Sequence, residues 1–589
     1  MAKKWQVDEN KAWFKKWWPK QVPKNIEFEK ISAGDLFERQ RKKHGILNLM
    51  WFLDTWMTFE ETGNHIDSFA TALSDLGVKK GDCVALMLPN SFQYVITYYA
   101  CLKIGAVATG INPTYMPLEV LHHIETTDAT ILVTLDSLYE PLIKPIIEKT
   151  KIKKVVYTNV VDLASGIPGP LKVLGKLIKK IPTGKIDFEP SYKFKDLLMT
   201  PPNLPDVKIN PVEDSATYIM TGGTTGVPKA TNLTHFNIVS NAIQCLNWLG
   251  GEQPYLGVIG VLPLFHSFGM TTVMNAAVAF GGWMMLFPQP PKTKELLKKI
   301  QEVYAPLGLA YPGAEILFKR LADFPKIKEY NIMGKLRLCI AGAGPLHAPV
   351  QKAFVKNTEG AIVEGYGLSE SSPVISSGNL FEESPLGTIG MPFPGTDWAI
   401  FETEAEDLSA GPIADGSKDS KYGEEHTGEI CVCGPQVMKE YLNQPEETAE
   451  TIQEWDGRIW LRTGDIGFMR KDGLITIRDR KKQLIKVAGH SVYPKEVEEM
   501  LMKHEAVSEA AVAGLPDPRG KVGEIVKAWI EIKAGYEGKI TDEELLRWIK
   551  ENLTSWKCPY LIEFIPEVPK NVIGKIQRRM LQESDPLWK

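Results

Sequence analysis

The chain has 589 residues, too many for one compact domain, and this length predicts two to four structural units. Hydrophobic residues make up 44% and charged residues 24% of the chain, a balance that is ordinary for a globular protein. The net charge of −4 excludes a general electrostatic attraction to nucleic acid.

From about Gly81 onward, strand-like and helix-like segments alternate. DCVALMLP and ATILVTL predict buried strands, and SFQYVITYYACLKIG between them predicts a helix that ends at a glycine. The rhythm continues through GVIGVLPLF, LRLCIAG and the helix-like HAPVQKAFVKN, which predicts an α/β architecture with largely parallel sheets. The apolar stretch 272–287 is short and contains Asn275, so a buried helix-turn-strand is a better interpretation than a membrane span.

Beyond these elements the composition changes. The polar run EAEDLSAGPIADGSKDSKYGEEHTG predicts a long surface hairpin or loop between strands of a β-rich unit. After IRDRKKQ, a tail of about 110 residues mixes strands with amphipathic helices such as VYPKEVEEMLMKH. We therefore predict a large domain, 1–479, with two parallel-rich α/β subdomains and a β-rich subdomain, and a small α+β domain, 480–589, after a short basic hinge.

The cysteines indicate the compartment. All seven are scattered, and only Cys431 and Cys433 are close; strand alternation puts this pair on one face without metal-site spacing. The N-terminus is too polar for a signal peptide. These features predict a reduced, cytoplasmic protein without structural zinc.

Two basic segments with interleaved apolar residues stand apart. The first is 11–24; in the second, 170–185, Leu171, Leu174 and Leu177 follow helical spacing beside lysines. Both patterns suit peripheral contact with anionic lipid at the inner face of the membrane. A surface helix that packs its leucines on the protein explains the second pattern equally well. The N-terminal aromatic residues would also suit a homodimer interface.

YIMTGGTTGVPKAT, residues 218–231, has the composition of a phosphate-binding loop. Hydroxyl groups, closely approaching backbone N–H groups and a lysine are the groups that bind phosphate. The candidates are Thr221, Gly222, Gly223, Thr224, Thr225, Gly226 and Lys229. A Walker A lysine follows the last glycine directly, whereas here Val227 and Pro228 intervene. This spacing excludes a P-loop ATPase and leaves open phosphate binding or a plain hairpin turn.

Later motifs add nucleotide chemistry. EGYGLSESSP places Tyr366 between glycines, where it can pack on a purine, followed by Ser369 and Glu370. The hydroxyl and the carboxylate can hold phosphate and Mg²⁺. Asp465 in LRTGDIG is a lone acid in a tight turn, suited to accept hydrogen bonds from a ribose diol. The basic candidates that follow are Arg480, Lys482, Lys486 and Lys575.

In this order, TGGTTGVPK, PLFHSFGM, AGAGPL, EGYGLSE, RTGDIG, DRKKQLIKVAGHSVYP and PKNVIGK resemble the motif set of the adenylate-forming superfamily. That superfamily includes acyl-CoA synthetases, firefly luciferase and the adenylation domains of peptide synthetases. The resemblance runs from about residue 50 to the end. Within it, the TGGTTG loop, LPLFHSFGMTTVMN, DRKK and the Trp-rich N-terminal extension look most like bacterial and archaeal long-chain fatty-acid–CoA ligases.

The resemblance implies a two-step reaction on a medium- to long-chain fatty acid. The carboxylate and MgATP give acyl-AMP and pyrophosphate, and the thiol of coenzyme A then displaces AMP. Lys575 would bridge the carboxylate and the α-phosphate, while Glu370 and Thr221 would contact Mg²⁺. The other implied nucleotide contacts are Ala341, Gly342, Ala343 and Gly344 along the adenine, Gly365, Tyr366, Gly367 and Leu368 around it, Ser369 beside the α-phosphate, and Asp465, Ile477 and Arg480 around the ribose.

The resemblance also implies that the small domain is mobile and rotates about Lys482 between the two steps. Rotation would withdraw Lys575 and bring in Lys486, with Gly489 leaving room for the pantetheine arm of coenzyme A. The implied walls of the acyl or coenzyme A channel are His266, Tyr311, Gly313 and Gly390. His266 is not expected to act as a base, because a carboxylate is already ionised near pH 7.

Two departures and several alternatives remain open. Relatives usually have glycine where Ala230 stands, which would add strain if φ is positive there. Gln483 replaces a common acid, which leaves the ion pairing near the hinge in doubt. The alternatives are an aryl or short-chain acid–CoA ligase, an acyl-AMP ligase that loads a carrier protein, and a binding protein that has lost catalysis.

Overall fold

The structure is a computed structural model that describes residues 5–221, 228–487, 490–520, 523–571 and 574–588. Its strands are β1 (Asn48–Phe52), β2 (Thr55–Thr58), β3 (Cys83–Met87), β4 (Val107–Gly110), β5 (Ile131–Leu135), β6 (Lys154–Thr158), β7 (Ser191–Lys193), β8 (Ser215–Thr221), β9 (Lys229–Thr234), β10 (Gly257–Gly260), β11 (Trp283–Leu286), β12 (Leu309–Gly313), β13 (Leu336–Ala341), β14 (Ala361–Gly367), β15 (Val374–Ser377), β16 (Met391–Pro392), β17 (Asp397–Phe401), β18 (Gly428–Cys433), β19 (Glu440–Tyr441), β20 (Ile452–Trp455), β21 (Arg458–Met469), β22 (Ile475–Arg480), β23 (Ile485–Val487), β24 (His490–Val492), β25 (Val507–Pro516), β26 (Glu524–Ile532) and β27 (Leu561–Phe564). Its α-helices are α1 (Ala33–His44), α2 (Phe59–Asp75), α3 (Phe92–Lys103), α4 (Pro117–Thr127), α5 (Asp136–Leu138), α6 (Gly169–Leu177), α7 (Phe194–Leu197), α8 (His235–Trp248), α9 (Ser267–Gly269), α10 (Ala276–Phe280), α11 (Thr293–Glu302), α12 (Glu315–Ala322), α13 (Ala348–Thr358), α14 (Pro445–Thr451), α15 (Pro494–Leu501), α16 (Asp542–Asn552) and α17 (Arg578–Ser584).

Two sheets with mainly parallel strands form the frame of the large domain. One has the order β16-β15-β14-β13-β12-β10-β11-β1-β2, and the other has the order β19-β9-β8-β4-β3-β5-β6-β7. Antiparallel pairs occur at the ends, for example β8 with β9 and β14 with β15. Residues Phe92–Leu102 of α3 are all buried, as expected where helices cover a parallel sheet. The predicted α/β class is confirmed.

A β-rich subdomain follows these sheets. It is antiparallel, with the order β17-β18-β21-β20 and β22 paired to β21. The polar run joins β17 to β18 as predicted, but Leu408 and Ala414 within it are buried, so it is only partly a surface loop. The strand β18 carries Cys431 and Cys433, and both thiols are buried.

The tail forms a small, separate α+β unit. It contains the strand pair β23-β24 and the sheet β25-β26-β27, on which α15 and α16 pack. In α16, Thr541 and Glu544 form a reciprocal cap, and Leu545 and Ile549, one helical turn apart, are buried. A large domain followed by a small one is therefore confirmed, whereas the boundary at 479/480 stays a prediction.

The first basic segment, 11–24, packs within the protein. Trp13 is fully buried, with its ring 5.8 Å from that of Trp398, and Trp18 lies 5.4 Å from Trp248. The ammonium of Lys11 pairs with Asp415 at 2.7 Å. Trp17 and Trp18 are half-buried against the core, so most of the aromatic surface of this segment contacts the protein itself, and a lipid contact or a dimer interface through it stays a prediction.

The second basic segment behaves in the opposite way. It forms α6 and the turn after it, and α6 contains no buried residue. The interpretation in which its leucines pack on the protein is therefore wrong. Elsewhere, no helix among the described residues is long and apolar enough to cross a membrane, and 272–287 forms the helix, turn and strand that the sequence predicts.

Candidate active site

The Gly/Thr-rich sequence connects the two strands of a hairpin. Thr221 ends β8 and Lys229 begins β9, and the two are antiparallel partners at the mouth of the hairpin. The hydroxyl of Thr221 donates to the carbonyl of Lys229 at 3.3 Å. The predicted ligands Gly222, Gly223, Thr224, Thr225 and Gly226, and the predicted channel residue Gly489, lie outside the described residues.

Lys229 contacts two side chains that sequence reasoning missed. Its ammonium forms an ion pair with Glu447 in α14 and lies 5.1 Å from the ring centre of Tyr441. The Tyr441 hydroxyl donates to Glu370 at 2.7 Å, so one tyrosine links the predicted phosphate cation to a predicted Mg²⁺ ligand. The hydrogen bond from Lys229 lowers the pKa of Glu447, and the charge of Lys482 lowers it further.

Two candidate adenine segments lie at the ends of neighbouring parallel strands. Ala341 at the end of β13 is in register with Glu364 in β14, so residues 342–344 after β13 and residues 365–367 at the end of β14 lie at the same end of the sheet. Gly342 packs against the ring of Phe268, where a Cβ atom would lie 2.8 Å from the ring. Ala343 has φ of +66°, a left-handed conformation that is unusual for alanine and often marks a functional site.

The remaining residues around these segments are held in place by packing and one hydroxyl contact. Leu368 and Ile477 pack against the main core, as the ring of Tyr366 does. Gly365 and Gly367 belong to β14, and Gly344 follows Ala343. The hydroxyl of Ser369 lies 3.0 Å from that of Ser267, which fixes the position of this predicted α-phosphate neighbour.

Tyr366, Asp465 and Arg480 form one cluster. The Tyr366 hydroxyl donates to one carboxylate oxygen of Asp465 at 2.6 Å, and Nε of Arg480 lies 2.9 Å from the other. The negative charge of Asp465 is the main reason that the pKa of Arg480 is raised. Each carboxylate oxygen keeps a second lone pair, so Asp465 can still accept hydrogen bonds from a ribose diol.

Lys575 reaches this cluster from the small domain. The charges that face it belong to Arg480, Asp465, Arg578 and Glu370. Burial and then the positive charge of Arg480 lower the pKa of Lys575 from 10.5 to about 8. Next to it, Gly574 lies against Ala314 and Ile316 at the start of α12, so the lysine loop docks on the large domain.

His266 also lies close to Lys575. Burial and then the charge of Lys575 lower the pKa of His266 to about 4, and its Nδ1 accepts the backbone N–H of Phe268 at 3.2 Å. The imidazole is therefore neutral at pH 7, which suits a channel wall better than a cationic contact.

The other predicted channel residues have clear structural roles. The Tyr311 side chain packs on Phe318 in the core beneath the sheet, with ring centres 5.1 Å apart, so only its backbone could border a substrate. Gly313 accepts the N–H of Gly342 at 2.9 Å, which ties it to the adenine segment. Gly390 has φ of +76°, and a Cβ atom there would lie 2.1 Å from the backbone of Ser377.

The two departures from the family pattern are accommodated. Ala230 lies within β9, opposite Met220, so the alanine adopts an ordinary extended conformation. Gln483 accepts a hydrogen bond from Arg578 at 3.3 Å, while Arg578 forms an ion pair with Glu498 at 2.6 Å. The amide therefore serves as the acceptor in place of an acid.

The residues near the hinge lie on the surface. Lys482 is exposed, in the short helical turn after β22. Lys486 lies in β23, and its ammonium contacts Glu404 at 3.2 Å on the outer side of the β-rich subdomain.

Oxygen ligands suited to Mg²⁺ are present beside the hairpin. Among the described residues, no cluster of three or more His, Cys, Asp or Glu side chains could hold a metal by itself. The Thr221 hydroxyl bonds to the backbone carbonyl of Lys229. The ammonium of Lys229 lies over the ring of Tyr441, whose hydroxyl bonds to Glu370, so the Glu370 carboxylate lies on the Lys229 side of the hairpin mouth. Mg²⁺ commonly uses one or two carboxylates together with substrate phosphates, and this set fits that habit.

Comparison with known proteins agrees with this arrangement. A family model described as "AMP-binding enzyme" matches residues 37–442, and one described as "AMP-binding enzyme C-terminal domain" matches residues 496–575. The chain belongs to this family of AMP-binding enzymes. The resemblance to the adenylate-forming superfamily that the motifs indicate is thereby confirmed.

Individual relatives match over nearly the whole chain. A "Long-chain-fatty-acid--CoA ligase" of Bacillus subtilis (strain 168) is 35% identical, covering 98% of this chain and 99% of that protein. The protein of the same name from Escherichia coli O157:H7 is 33% identical over 98% of both. Among solved structures, ATP-bound MatB from Rhodopseudomonas palustris has a TM-score of 0.77 at 23% identity, over 95% of this chain and 100% of that one, and shows the same fold.

Proposed function

We propose that this protein is an AMP-forming ligase that joins medium- to long-chain fatty acids to coenzyme A. The observation that carries the proposal is the position of Lys575, which reaches from the small domain to Asp465 and Glu370 of the large one and to Arg480 at the boundary between them. The full-length similarity to proteins named long-chain fatty-acid–CoA ligases supports the same substrate class.

In the first step, the fatty-acid carboxylate attacks the α-phosphorus of ATP and pyrophosphate leaves. Both reactants are anions, so the site must supply cations and hydrogen-bond donors where charge accumulates. Lys575 would lie between the carboxylate and the α-phosphate, and Lys229 at the pyrophosphate end. Asp465 and Arg480 would hold the ribose, and the backbone of Gly342–Gly344 would border the adenine.

The Mg²⁺ ion belongs to the proposal as well. Glu370 and Thr221 would hold it together with the phosphates of ATP. The ion would neutralise charge on the leaving pyrophosphate. The Tyr441 hydroxyl would keep the Glu370 carboxylate turned toward this place.

In the second step, the thiol of coenzyme A attacks the acyl carbon and AMP leaves. We propose that the domain after residue 479 rotates about Lys482 between the steps. This would withdraw Lys575 and bring the segment of Lys486 toward the substrate. In the structure Lys575 faces Asp465 in the site, whereas Lys486 contacts Glu404 outside it.

The proposed place of action is the cytoplasm at the inner face of the membrane. Long-chain fatty acids partition into bilayers, because each buried CH₂ group contributes roughly 0.8 kcal/mol. All the cysteines, each of which lies within the described residues, are buried thiols, which suits a reducing compartment. The homodimer stays a prediction and is not part of this proposal.

The decisive experiment measures pyrophosphate release and AMP formation across carboxylates from acetate to oleate, including benzoate, with and without coenzyme A. We expect the highest rates with medium- and long-chain acids, and acyl-CoA only when coenzyme A is present. Preference for benzoate or acetate would overturn the substrate class. Stable acyl-AMP without thioester at high coenzyme A would instead indicate a carrier-loading ligase, and no turnover a binding protein.

A further inference from the structure

Helix α6 presents its apolar face to solvent. Its aliphatic side chains, together with that of the next residue, are between 50% and 74% exposed: Leu171, Val173, Leu174, Leu177 and Ile178. Single exposed leucines are common on proteins, but a contiguous apolar patch marks an interaction surface. The helix also lies in the connection between β6 and β7, at the end of its sheet.

The polar face of α6 is turned toward the protein. Lys172 and Lys176 are only partly exposed, and the ammonium of Lys176 lies 3.8 Å from the carboxylate of Asp162. An ordinary surface helix buries its apolar stripe and exposes its charges. In α6 this order is reversed, so the aliphatic face has no partner within the described part of the chain.

The helix is firmly attached on both sides. Before it, the N–H of Gly166 donates to the hydroxyl of Thr55 at 2.8 Å. After it, the amide of Asn159 donates to the carbonyl of Pro182 at 2.8 Å and also to Asp136. These contacts hold the exposed face in a fixed direction, as a docking surface requires.

Positive charge lies beside the apolar face, at the C-terminal end of the helix and on its inner side. Lys179, Lys180 and Lys185 follow the helix and are exposed. On the side that faces the protein, burial lowers the pKa of Lys172, and the positive charge of Lys195 lowers it further. Lys195 therefore lies near the helix and adds to the positive charge beside it. An apolar face with a basic border is complementary to a bilayer that contains anionic phospholipid.

We propose that α6 is the surface by which this protein docks on a bilayer containing anionic phospholipid. The helix, about 14 Å long, would lie in the interface, with its leucines among the upper acyl chains and Lys179, Lys180 and Lys185 near the headgroups. The chain leads from the carboxyl end of β6 to α6 and from that of β8 into the Gly/Thr-rich sequence, and because these strands are parallel within one sheet, both ends lie on the same side of it. Delivery of fatty acid from the membrane rests on the proposed function, whereas the docking itself does not.

The test is co-sedimentation of the full chain with vesicles, without ATP, fatty acid or coenzyme A. One set of vesicles contains phosphatidylcholine alone and the other contains phosphatidylcholine with phosphatidylglycerol. Leu174→Asp combined with Leu177→Asp removes the centre of the apolar face, and Lys179→Gln with Lys180→Gln removes charge. Ile46→Asp is the matched control, because Ile46 is 92% exposed and lies outside this patch.

We expect the unaltered protein and the Ile46→Asp variant to bind the anionic vesicles equally. The leucine variant should bind ~100-fold more weakly, since it removes several inserted CH₂ groups. The lysine variant should lose ~25-fold on anionic vesicles and little on neutral ones, at about fivefold per lysine. High salt should weaken the binding of the unaltered protein.

Several outcomes would overturn the proposal. One is that the unaltered protein binds neither kind of vesicle, and another is that the leucine variant binds anionic vesicles as well as the unaltered protein does. A third is a dimer in vesicle-free solution that the leucine substitutions dissociate, which would assign the face to a second copy of the chain. Acyl-CoA formation from octanoate without vesicles checks that each variant is folded. The same assay separates failure of docking from failure of the ligase function, because the leucine and lysine variants should keep full activity in it.

Discussion

Replacing Lys575 with glutamine should separate the two half-reactions. Glutamine keeps most of the length of the side chain and removes the charge that faces Arg480, Asp465 and Glu370. If Lys575 stabilises charge between the carboxylate and the α-phosphate, acyl-AMP formation should fall by ~10²–10³, the loss typical of one preorganised donor. Thioester formation from added acyl-AMP should fall by much less, because that step does not use the lysine.

The assay follows both half-reactions separately. Acyl-AMP formation is measured as pyrophosphate release in single turnover, and the second step as acyl-CoA formed from synthetic acyl-AMP. Lys570→Gln is the matched control, since Lys570 lies in the same segment but pairs with Glu509 at 2.5 Å on the small domain. Equal losses in both steps, or the same loss in the control, would refute this reasoning.

The pH dependence gives an independent check on the same residue. The pKa of Lys575 is lowered to about 8, so the free enzyme carries the charge below this pH and loses it above. For adenylation, kcat/KM should therefore be level near pH 7 and fall about tenfold per pH unit above pH 8. Lys575→Arg should be slower but should lack this alkaline decline, because arginine stays charged. A decline that persists in the arginine variant would assign it to another group.

Three further predictions concern the surroundings of the site. Glu447→Gln should lower the KM for ATP by ~2–5-fold, because the Glu447 carboxylate then no longer competes with the ATP phosphates for Lys229. The KM is measured by pyrophosphate release, and an unchanged or higher value would contradict this. Trp13→Ala should lower the free energy of unfolding of the large domain by ~3–5 kcal/mol in urea titration, since the side chain is fully buried. Trp17→Ala is the control and should lower this free energy by less, because Trp17 is half-buried. Chelation of divalent cations should abolish pyrophosphate release until Mg²⁺ is restored, and full activity in EDTA would exclude the proposed role of Glu370.

The sequence predicts the frame of this fold well because its elements depend on local pattern. The segment DCVALMLP is apolar throughout, as a strand covered on both faces must be, and it forms β3. The composition of its loop makes Lys229 a candidate, whereas the role of Lys575 follows only from the resemblance to a family, because no periodicity relates a hairpin to a loop near the C-terminus.

The contacts between distant segments could not be read from the sequence. Glu447 is 218 positions from Lys229, and nothing in its acidic helix distinguishes it from Glu446. The same limit applies to the amphipathic segments. In 11–24, Trp13 is buried because Trp398 and Gly416 lie close by, while the aliphatic side chains of α6 remain exposed. Spacing shows that a helix has two faces, but only the fold shows which one meets the protein.

The positions of Lys486 and Lys575 bear directly on the proposed rotation. The backbone N–H of Lys486 donates to Glu524 of β26, and Lys486 itself lies in β23, so this residue belongs to the body of the small domain. Arg578, three residues after Lys575, is fixed to Glu498 of α15 in that same domain. One lysine nevertheless faces Asp465 in the site while the other contacts Glu404 outside it. In this placement of the small domain only Lys575 reaches the site, so a reaction that used both lysines at the substrate would require that domain to turn, as proposed.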